Sequence, residues 1–290
     1  MRLLVLGAGF SGRAIAQAFM LAGFSAVGTT RSPDKQVALA VLGIEPLLFD
    51  GEAISAELAS VMEGATHLVQ SIAPGKNGDP LFRPGTKPVG DLMPNLQWVG
   101  YLSTVGVYGD HKGAWVDEDT PIHPASTRSV ERVEAEERWL AFSEQCGLPV
   151  AVLRLAGIYG PGRNALRNVE EGTARRLIKK DQVFNRIRVE DIGGSALFLA
   201  RGGHSGVFNI TDDEPGPPQD VVAEAARLMG AEMPPEVPFE TAELSPMARS
   251  FYGENKRVSN ARIRSLGFFF RYPNYRMSLA QMWSDNDWRG

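Results

Sequence analysis

The sequence predicts an α/β protein built on a doubly wound parallel sheet, with a smaller, partly interleaved C-terminal lobe. Short apolar runs alternate with segments of helical periodicity over the first 157 residues. The runs lack polar–apolar alternation, which is typical of strands buried on both faces of a parallel sheet. Repeated strand–helix units of this kind build doubly wound sheets.

The predicted elements follow one another in order. The apolar runs predict strands over residues 3–6, 25–29, 46–50, 67–72, 98–103 and 150–155. Helical periodicity predicts helices over residues 11–22, 35–42 and 125–140. A further helix has its buried face at Ile54, Leu58, Val61 and Met62, which share the i, i+4, i+7, i+8 spacing.

The pattern changes after about residue 157. Glycine, proline and arginine gather at residues 157–164, and residues 231–250 are rich in proline with weak periodicity. A strand around residues 187–189, a helix from Ile192 and a strand at residues 206–210 restore the earlier pattern. We therefore assign residues 1–157 and 185–212 to the sheet domain. Residues 158–184 and 213–290 form the smaller lobe, which we expect to cover the ligand edge of the sheet.

Composition excludes several classes of function. The 290 residues are 43% hydrophobic and 22% charged, as in ordinary globular proteins, and the net charge of −4 leaves no electrostatic footprint for nucleic acid. The single cysteine, Cys146, excludes an intramolecular disulfide and favours the cytoplasm. The four histidines lack metal-ligand spacing, so no metal is expected. We also expect no membrane segment and no signal peptide.

The first chemical motif is GAGFSG at residues 7–12, between the first strand and the first helix. Gly7 permits a tight turn, Gly9 lets a pyrophosphate approach the backbone, and Gly12 lets the helix pack on the sheet. The helix N-terminus adds amides and a partial positive charge. A glycine turn without a ligand is the alternative, but this context favours an NAD(P)-binding Rossmann domain. The predicted contacts are Gly7, Gly9, Phe10, Ser11 and Gly12.

The end of the second strand indicates which dinucleotide is bound. NAD sites carry an acidic residue there for the ribose 2′-hydroxyl, whereas this chain has TTRS at residues 29–32. A guanidinium and three hydroxyls suit a 2′-phosphate, so NADP is predicted, with NAD or a merely solvated arginine as the alternatives. Asp50 either lies near the adenine or caps a helix. The further predicted contacts are Thr30, Arg31, Ser32, Asp50, Ser71 and Ala73.

Other stretches carry a resemblance that covers nearly the whole chain. They are STVGVYGD at 103–110, RLAGIYGPGR at 154–163, RVEDI at 188–192, and the segments 206–214 and 256–267. With the glycine motif, they resemble the NAD-dependent epimerase/dehydratase branch of the short-chain dehydrogenase/reductase superfamily. The resemblance implies a small-molecule substrate, commonly a sugar nucleotide. It also implies that a hydroxyl at 103–104, by position that of Thr104, hydrogen-bonds the reacting oxygen of the substrate.

The resemblance also implies a Tyr-x-x-x-Lys pair on the helix at residues 125–140, with a glutamate four residues after the lysine. Aligning that glutamate with Glu136 puts Arg132 at the lysine position and Arg128 at the tyrosine position. The chain therefore resembles an atypical subgroup that lacks the pair. Tyrosine exchanges a proton because its pKa of about 10 can be lowered by a nearby cation, whereas arginine has a pKa above about 12. Arg128 is not a substitute acid or base.

Two interpretations of these arginines stay open. In the first, they form a solvated helix face, and nearby glutamates offset the repulsion between the two cations. In the second, Arg128 anchors a carboxylate or phosphate of the substrate, and Arg132 holds ribose hydroxyls or screens the phosphates. Tyr108 and Tyr159 lie in loops and either assist proton transfer or only pack. Arg163 either contacts an anionic ligand or belongs to a proline–glycine turn. The candidate catalytic residues are Thr104, Tyr108, Arg128 and Arg132, with Tyr159 and Arg163 on the substrate side.

Two classes of function follow. The first is an NADP-dependent oxidoreductase or an epimerase/dehydratase-like enzyme acting on an anionic, nucleotide-sugar-like molecule. The second is a catalytically silent sensor of NADP(H) or an interaction module. The cofactor motifs favour the enzyme, and loss of the tyrosine and the lysine favours the sensor. The protein is expected to be a monomer or a homodimer.

Overall fold

A computed structural model describes the backbone of residues 1–290 and all side chains except those of residues 246–248. The strands are β1 (Arg2–Leu6), β2 (Ser25–Thr30), β3 (Glu45–Leu48), β4 (His67–Gln70), β5 (Trp98–Thr104), β6 (Trp115–Val116), β7 (Val150–Leu155), β8 (Gly157–Tyr159), β9 (Arg176–Ile178), β10 (Arg186–Arg188), β11 (Gly206–Ile210), β12 (Glu236–Pro238) and β13 (Arg257–Val258). The helices are α1 (Phe10–Leu21), α2 (Asp34–Val41), α3 (Ala56–Gly64), α4 (Val89–Leu92), α5 (Thr127–Cys146), α6 (Ala165–Glu170), α7 (Val189–Arg201), α8 (Pro218–Met229), α9 (Pro246–Phe251), α10 (Ala261–Ser265) and α11 (Tyr275–Asp285). Short 3₁₀ turns cover Pro80–Phe82 and Val105–Tyr108.

The chain divides into two compact units. Unit 1 comprises residues 1–107, 124–155 and 192–208. Unit 2 comprises residues 108–123, 156–191 and 209–290. Within the described part of the chain, none of the helices combines the length and the apolar character that a membrane crossing requires.

A seven-stranded sheet with the order β3-β2-β1-β4-β5-β7-β11 organises unit 1. Every pairing from β3 to β7 is parallel. The strand order reverses between β1 and β4, and open α/β sheets bind their ligands at the carboxyl ends of strands at such a switch point. The predicted α/β class with a doubly wound parallel sheet is confirmed.

Helix α5 is fixed to the sheet by a buried ion pair. Arg154 on β7 donates from Nη2 to Glu136 Oε2 at 2.7 Å, and its Nε lies 3.2 Å from both carboxylate oxygens. The hydroxyl of Ser103 on β5 donates to the same carboxylate. All three side chains are buried, so water cannot replace these hydrogen bonds if α5 shifts. The contact therefore sets the register of α5 against β5 and β7.

Unit 2 has a second core and only short strands. Helices α6, α8 and α11 pack around six buried side chains, those of Leu166, Ala225, Tyr275, Leu279, Met282 and Trp288. The strands form parallel two-stranded pairs, β8 with β10, β9 with β12 and β6 with β13. Burial raises the pKa of Asp212 to about 8, although Arg186 acts in the opposite direction.

The helix predicted from Ile192 begins earlier, at Val189, directly after the strand β10. Glu190 and Asp191 occupy its first turn, where negative charge is favourable for a helix. The carboxylate of Asp191 accepts the backbone N–H groups of Arg271 and Tyr272. This part of the RVEDI motif therefore holds the tail segment at residues 271–272 within unit 2.

Replacing Arg154 by Met should destabilise the protein strongly, because it leaves the Glu136 carboxylate buried without its cation. Removing one partner of a buried pair typically costs about 3–5 kcal/mol. The matched control is Arg167→Met, which removes an exposed i, i+4 pair with Glu171 and should cost no more than about 0.5 kcal/mol. Urea denaturation measures both changes in the free energy of unfolding. Equal losses for the two variants would show that the pair does not hold α5.

Candidate functional site

The glycine turn between β1 and α1 is anchored by the second strand. Gly7 has a φ of +88°, in the left-handed region that favours glycine. Its N–H donates to Thr29 Oγ1 at 2.9 Å, and the N–H of Ala8 donates to the carbonyl of Thr29 at 2.8 Å. Thr29 is fully buried, so its hydroxyl belongs to the turn. That hydroxyl is not available to a ligand, which corrects the expectation of three hydroxyls in the segment 29–32.

The other two glycines of the motif differ in their surroundings. A Cβ on Gly12 would lie 2.8 Å from the carbonyl oxygen of Gly7, so only glycine fits where α1 approaches the turn. A Cβ on Gly9 would meet no heavy atom within 4 Å. Gly9 is the N-cap of α1, which has no side-chain cap and no acidic residue in its first turn. The space and the amides at this helix end fit a pyrophosphate.

Phe10 and Ser11 begin α1, directly after this open space. The side chain of Ser11 is buried, so a contact between this residue and a phosphate would be made by its backbone N–H. Phe10 is half-buried. Both residues therefore offer backbone rather than side-chain chemistry to a phosphate.

Arg31 follows β2 as an exposed cation. No carboxylate lies within 4.0 Å of its guanidinium among the side chains that the structure describes. Thr30 Oγ1 accepts the N–H of Ser32 at 3.3 Å, which shapes the segment around Arg31. The segment thus presents one cation and two hydroxyls.

The remaining predicted cofactor residues lie beyond β3 and β4. Asp50 is exposed, and its carboxylate accepts the N–H of Glu52 at 2.9 Å, as a turn-forming aspartate does. Ser71 is half-buried and Ala73 is exposed. The N–H of Ser71 donates to Leu6 O at 2.9 Å, which brings the segment after β4 beside the glycine turn.

The two arginines of α5 have different surroundings. Arg132 is half-buried and donates from Nη1 to the backbone carbonyl of Leu102 and, at 3.3 Å, to the hydroxyl of Tyr101. Burial raises the pKa of Tyr101 to about 12, although Arg132 acts in the opposite direction. Arg128 lies one turn earlier and is exposed. Arg132 therefore binds the strand β5, which a purely solvated helix face would not do.

Two hydroxyls flank Gly106 at the end of β5. A Cβ on Gly106 would lie 3.3 Å from Thr104 Oγ1 and 3.4 Å from Ser129 Oγ. Ser129 is buried in the first turn of α5 and shares a 2.9 Å hydrogen bond with Ser126 Oγ. Sequence reasoning identified Thr104 and missed Ser129. The sequence signal that could have identified Ser129 is the Ser-x-x-Ser spacing of a helix N-cap.

The other candidate side chains belong to unit 2. Tyr108 is fully buried, and its hydroxyl donates to Asn209 Oδ1 at 2.8 Å, which supports the packing interpretation. The hydroxyl of Tyr159 is buried too, and burial raises its pKa. Arg163 is exposed and closes a turn with Gly160 through two 3.0 Å backbone hydrogen bonds. Burial disfavours the ionised form of both tyrosines, which argues against a role for them in proton transfer.

Comparisons with known proteins agree with this architecture. The sequence pattern described as "NAD dependent epimerase/dehydratase family" matches residues 91–188. A solved structure of a functionally unknown conserved protein from Silicibacter pomeroyi is 46% identical, with a TM-score of 0.86 over 99% of each chain. Over residues 91–188, the chain is similar to the NAD-dependent epimerase/dehydratase family.

Two further proteins are similar to this chain over nearly its whole length. Protein YeeZ of Escherichia coli (strain K12) is 29% identical over 282 residues, which are 93% of this chain and 96% of that protein. The dTDP-glucose 4,6-dehydratase of Bacillus anthracis, solved in complex with NAD, is 18% identical, with a TM-score of 0.77 over 99% of this chain and 97% of that one. At that identity, the likeness shows the fold alone.

Replacing Gly12 by Ala should destabilise the protein by about 1–3 kcal/mol, because the new methyl group would meet a backbone oxygen that cannot move aside. The matched control within the same motif is Gly9→Ala, which has open space and should cost no more than about 1 kcal/mol, because alanine is a poorer N-cap than glycine. Chemical denaturation measures both. A Gly12→Ala variant as stable as the native protein would show that the helix end can move away from the turn.

Proposed function

We propose that the protein binds NADP in preference to NAD and acts on an anionic small molecule as an NADP-dependent oxidoreductase or epimerase/dehydratase-like enzyme. The observation that carries the proposal is the open end of α1 at Gly9, where no side chain caps the helix and a Cβ would meet no heavy atom within 4 Å. When bound, the nicotinamide ring exchanges hydride with a substrate. We further propose a cytoplasmic monomer or homodimer, a setting suggested by the single cysteine.

Different residues would hold different parts of the cofactor. Gly7, Gly9, Gly12 and the N-terminal amides of α1 would hold the pyrophosphate. Arg31 would take the 2′-phosphate, since its guanidinium is exposed and without a carboxylate partner in the described structure. A carboxylate that accepts a ribose 2′-hydroxyl is the usual NAD device, and the segment 29–32 offers none.

The substrate side would use hydroxyls and permanent cations. Thr104 would donate a hydrogen bond to the reacting oxygen of the substrate, with Ser129 beside it. Arg128 would bind an anionic group of the substrate, because an arginine keeps its proton at neutral pH. Since the Tyr108 hydroxyl is engaged by Asn209, an ordered water would supply the proton.

The alternative is a silent NADP(H) sensor. One observation favours it: the residues on α5 that would stand in for the family's tyrosine and lysine are arginines, and a guanidinium cannot exchange a proton at neutral pH. Both candidates require the cofactor to bind, so binding and turnover must be measured separately.

Titrations followed by nicotinamide fluorescence should show that the protein binds NADPH more tightly than NADH. Replacing Arg31 by Ala should weaken NADPH binding about tenfold and leave NADH binding unchanged, because only NADPH carries the 2′-phosphate. The control is Lys35→Ala, which removes another exposed cation from the same part of the chain. Tighter binding of NADH by the native protein, or equal losses for both coenzymes, would contradict the assignment of Arg31.

Incubation with NADPH and a panel of sugar nucleotides, aldehydes and ketones, followed at the nicotinamide absorbance, tests turnover. We expect turnover of an anionic member of the panel, and a Thr104→Val variant should lower kcat about 10²–10³-fold while NADPH affinity stays the same. The control is Thr127→Val, which changes an exposed hydroxyl in the same turn of α5 as Arg128. Tight NADPH binding without any turnover would reject the enzyme in favour of the sensor.

A further inference from the structure

A cavity of about 630 Å³ lies within unit 2. Its size is in the range of small-molecule sites. Three segments of the chain supply its charged side chains, and their lining residues include Lys112, Gly113, Lys179, Asp181, Gln182 and Arg257. None of them belongs to the predicted cofactor or catalytic residues.

The cavity wall carries a net positive charge. Lys112, Lys179 and Arg257 are cations and Asp181 is the one carboxylate among the lining residues, so the formal charge is 3 − 1 = +2. Within the described part of the chain, no carboxylate lies within 4.0 Å of any of the three cationic groups. A phosphate monoester carries a charge close to −2 at neutral pH, and the cavity wall would balance it.

A single residue, Asn255, joins the three segments through its side chain and its backbone carbonyl. Its Nδ2 donates to the carbonyl of Asp181 at 2.9 Å, and its Oδ1 accepts the N–H of Val183 at 3.1 Å. Its backbone carbonyl accepts the N–H groups of His111 and Gly113, at 3.0 and 2.9 Å. The segments that present the cations are therefore held in place before any ligand arrives, which lowers the entropic cost of binding.

Two of the cations are partly anchored and keep free donors. Lys179 Nζ donates to the carbonyl of Tyr252 and lies 5.1 Å from the centroid of the Phe239 ring. Arg257 Nη1 donates to the carbonyl of Gly113. An ammonium has three N–H donors and a guanidinium five, so both retain donors for a ligand oxygen.

Lys112 is held in an uncommon backbone conformation. Its φ is +52°, in the left-handed region that residues other than glycine rarely adopt. The carboxylate of Asp110 supports this conformation by accepting the N–H of Lys112 at 3.0 Å and the N–H of Asn255 at 2.8 Å. The backbone that carries the exposed ammonium is thereby tied to the same frame as the other two cations.

We propose that unit 2 carries a binding pocket for a phosphate-bearing small molecule, with Lys112, Lys179 and Arg257 as the groups that contact the phosphate. The proposal goes beyond nicotinamide chemistry and does not depend on it, because all of the residues that carry it lie in unit 2.

Isothermal titration calorimetry of the full chain, without nicotinamide, tests the pocket with inorganic phosphate, glucose 6-phosphate, glucose and succinate. We expect both phosphate compounds to bind, glucose not to bind, and succinate to bind at least tenfold more weakly than phosphate. Lys112→Gln and Arg257→Gln should each weaken phosphate binding about tenfold, the loss of one charge-assisted contact.

The matched control is Lys180→Gln, which removes an exposed charge next to Lys179 from a residue outside the pocket lining. This variant should bind phosphate as the native protein does, and thermal melting shows whether each variant is folded. Lys112 is exposed, so its variant is expected to melt like the native protein. Three results would overturn the proposal: no phosphate binding, equal losses in Lys180→Gln and Lys112→Gln, or equal affinity for succinate and phosphate.

Discussion

The buried carboxylate of Glu136 is the constraint on which the candidate catalytic side of unit 1 depends. It accepts hydrogen bonds from Arg154 on β7 and from Ser103 on β5, and it lies one turn beyond Arg132 on α5. Because two strands and one helix meet at a single charged group, α5 cannot rotate or slide without leaving a charge unpaired in the core. The positions of Arg128, Ser129 and Arg132 along β5 follow from this one contact.

The glycine turn and helix α5 of unit 1 differ in how closely they match the pattern of a dinucleotide-binding enzyme. The glycine turn has the features that phosphate binding requires: a left-handed Gly7, a crowded Gly12 and an open helix end at Gly9. Helix α5 has a buried glutamate, but it carries the guanidinium groups of Arg128 and Arg132 where the family resemblance implies a tyrosine and a lysine. Physical constraints thus define the candidate coenzyme site more closely than they define the candidate catalytic site.

The strands of the large sheet could be predicted from sequence because each contains a short apolar run and has a helix before or after it. Strands β6 and β13 could not be, since each has two residues and is specified by a partner far away in the chain. The use of the Thr29 hydroxyl by the turn was also hidden, because a threonine at a strand end looks the same whether it faces a ligand or a backbone N–H. Ser129 was overlooked next to two conspicuous arginines. The cavity of unit 2 collects cations from three separate segments, and no local pattern marks such a set.

The hydrogen bond from Gly7 to Thr29 has a consequence for altering coenzyme choice. The Thr29 side chain shapes the glycine turn, and the Thr30 hydroxyl shapes the segment that follows, whereas the exposed Arg31 side chain takes part in neither contact. Replacement of Arg31 by an acidic or a neutral residue can therefore proceed without refolding the turn. A change at Thr29 would disturb the turn itself.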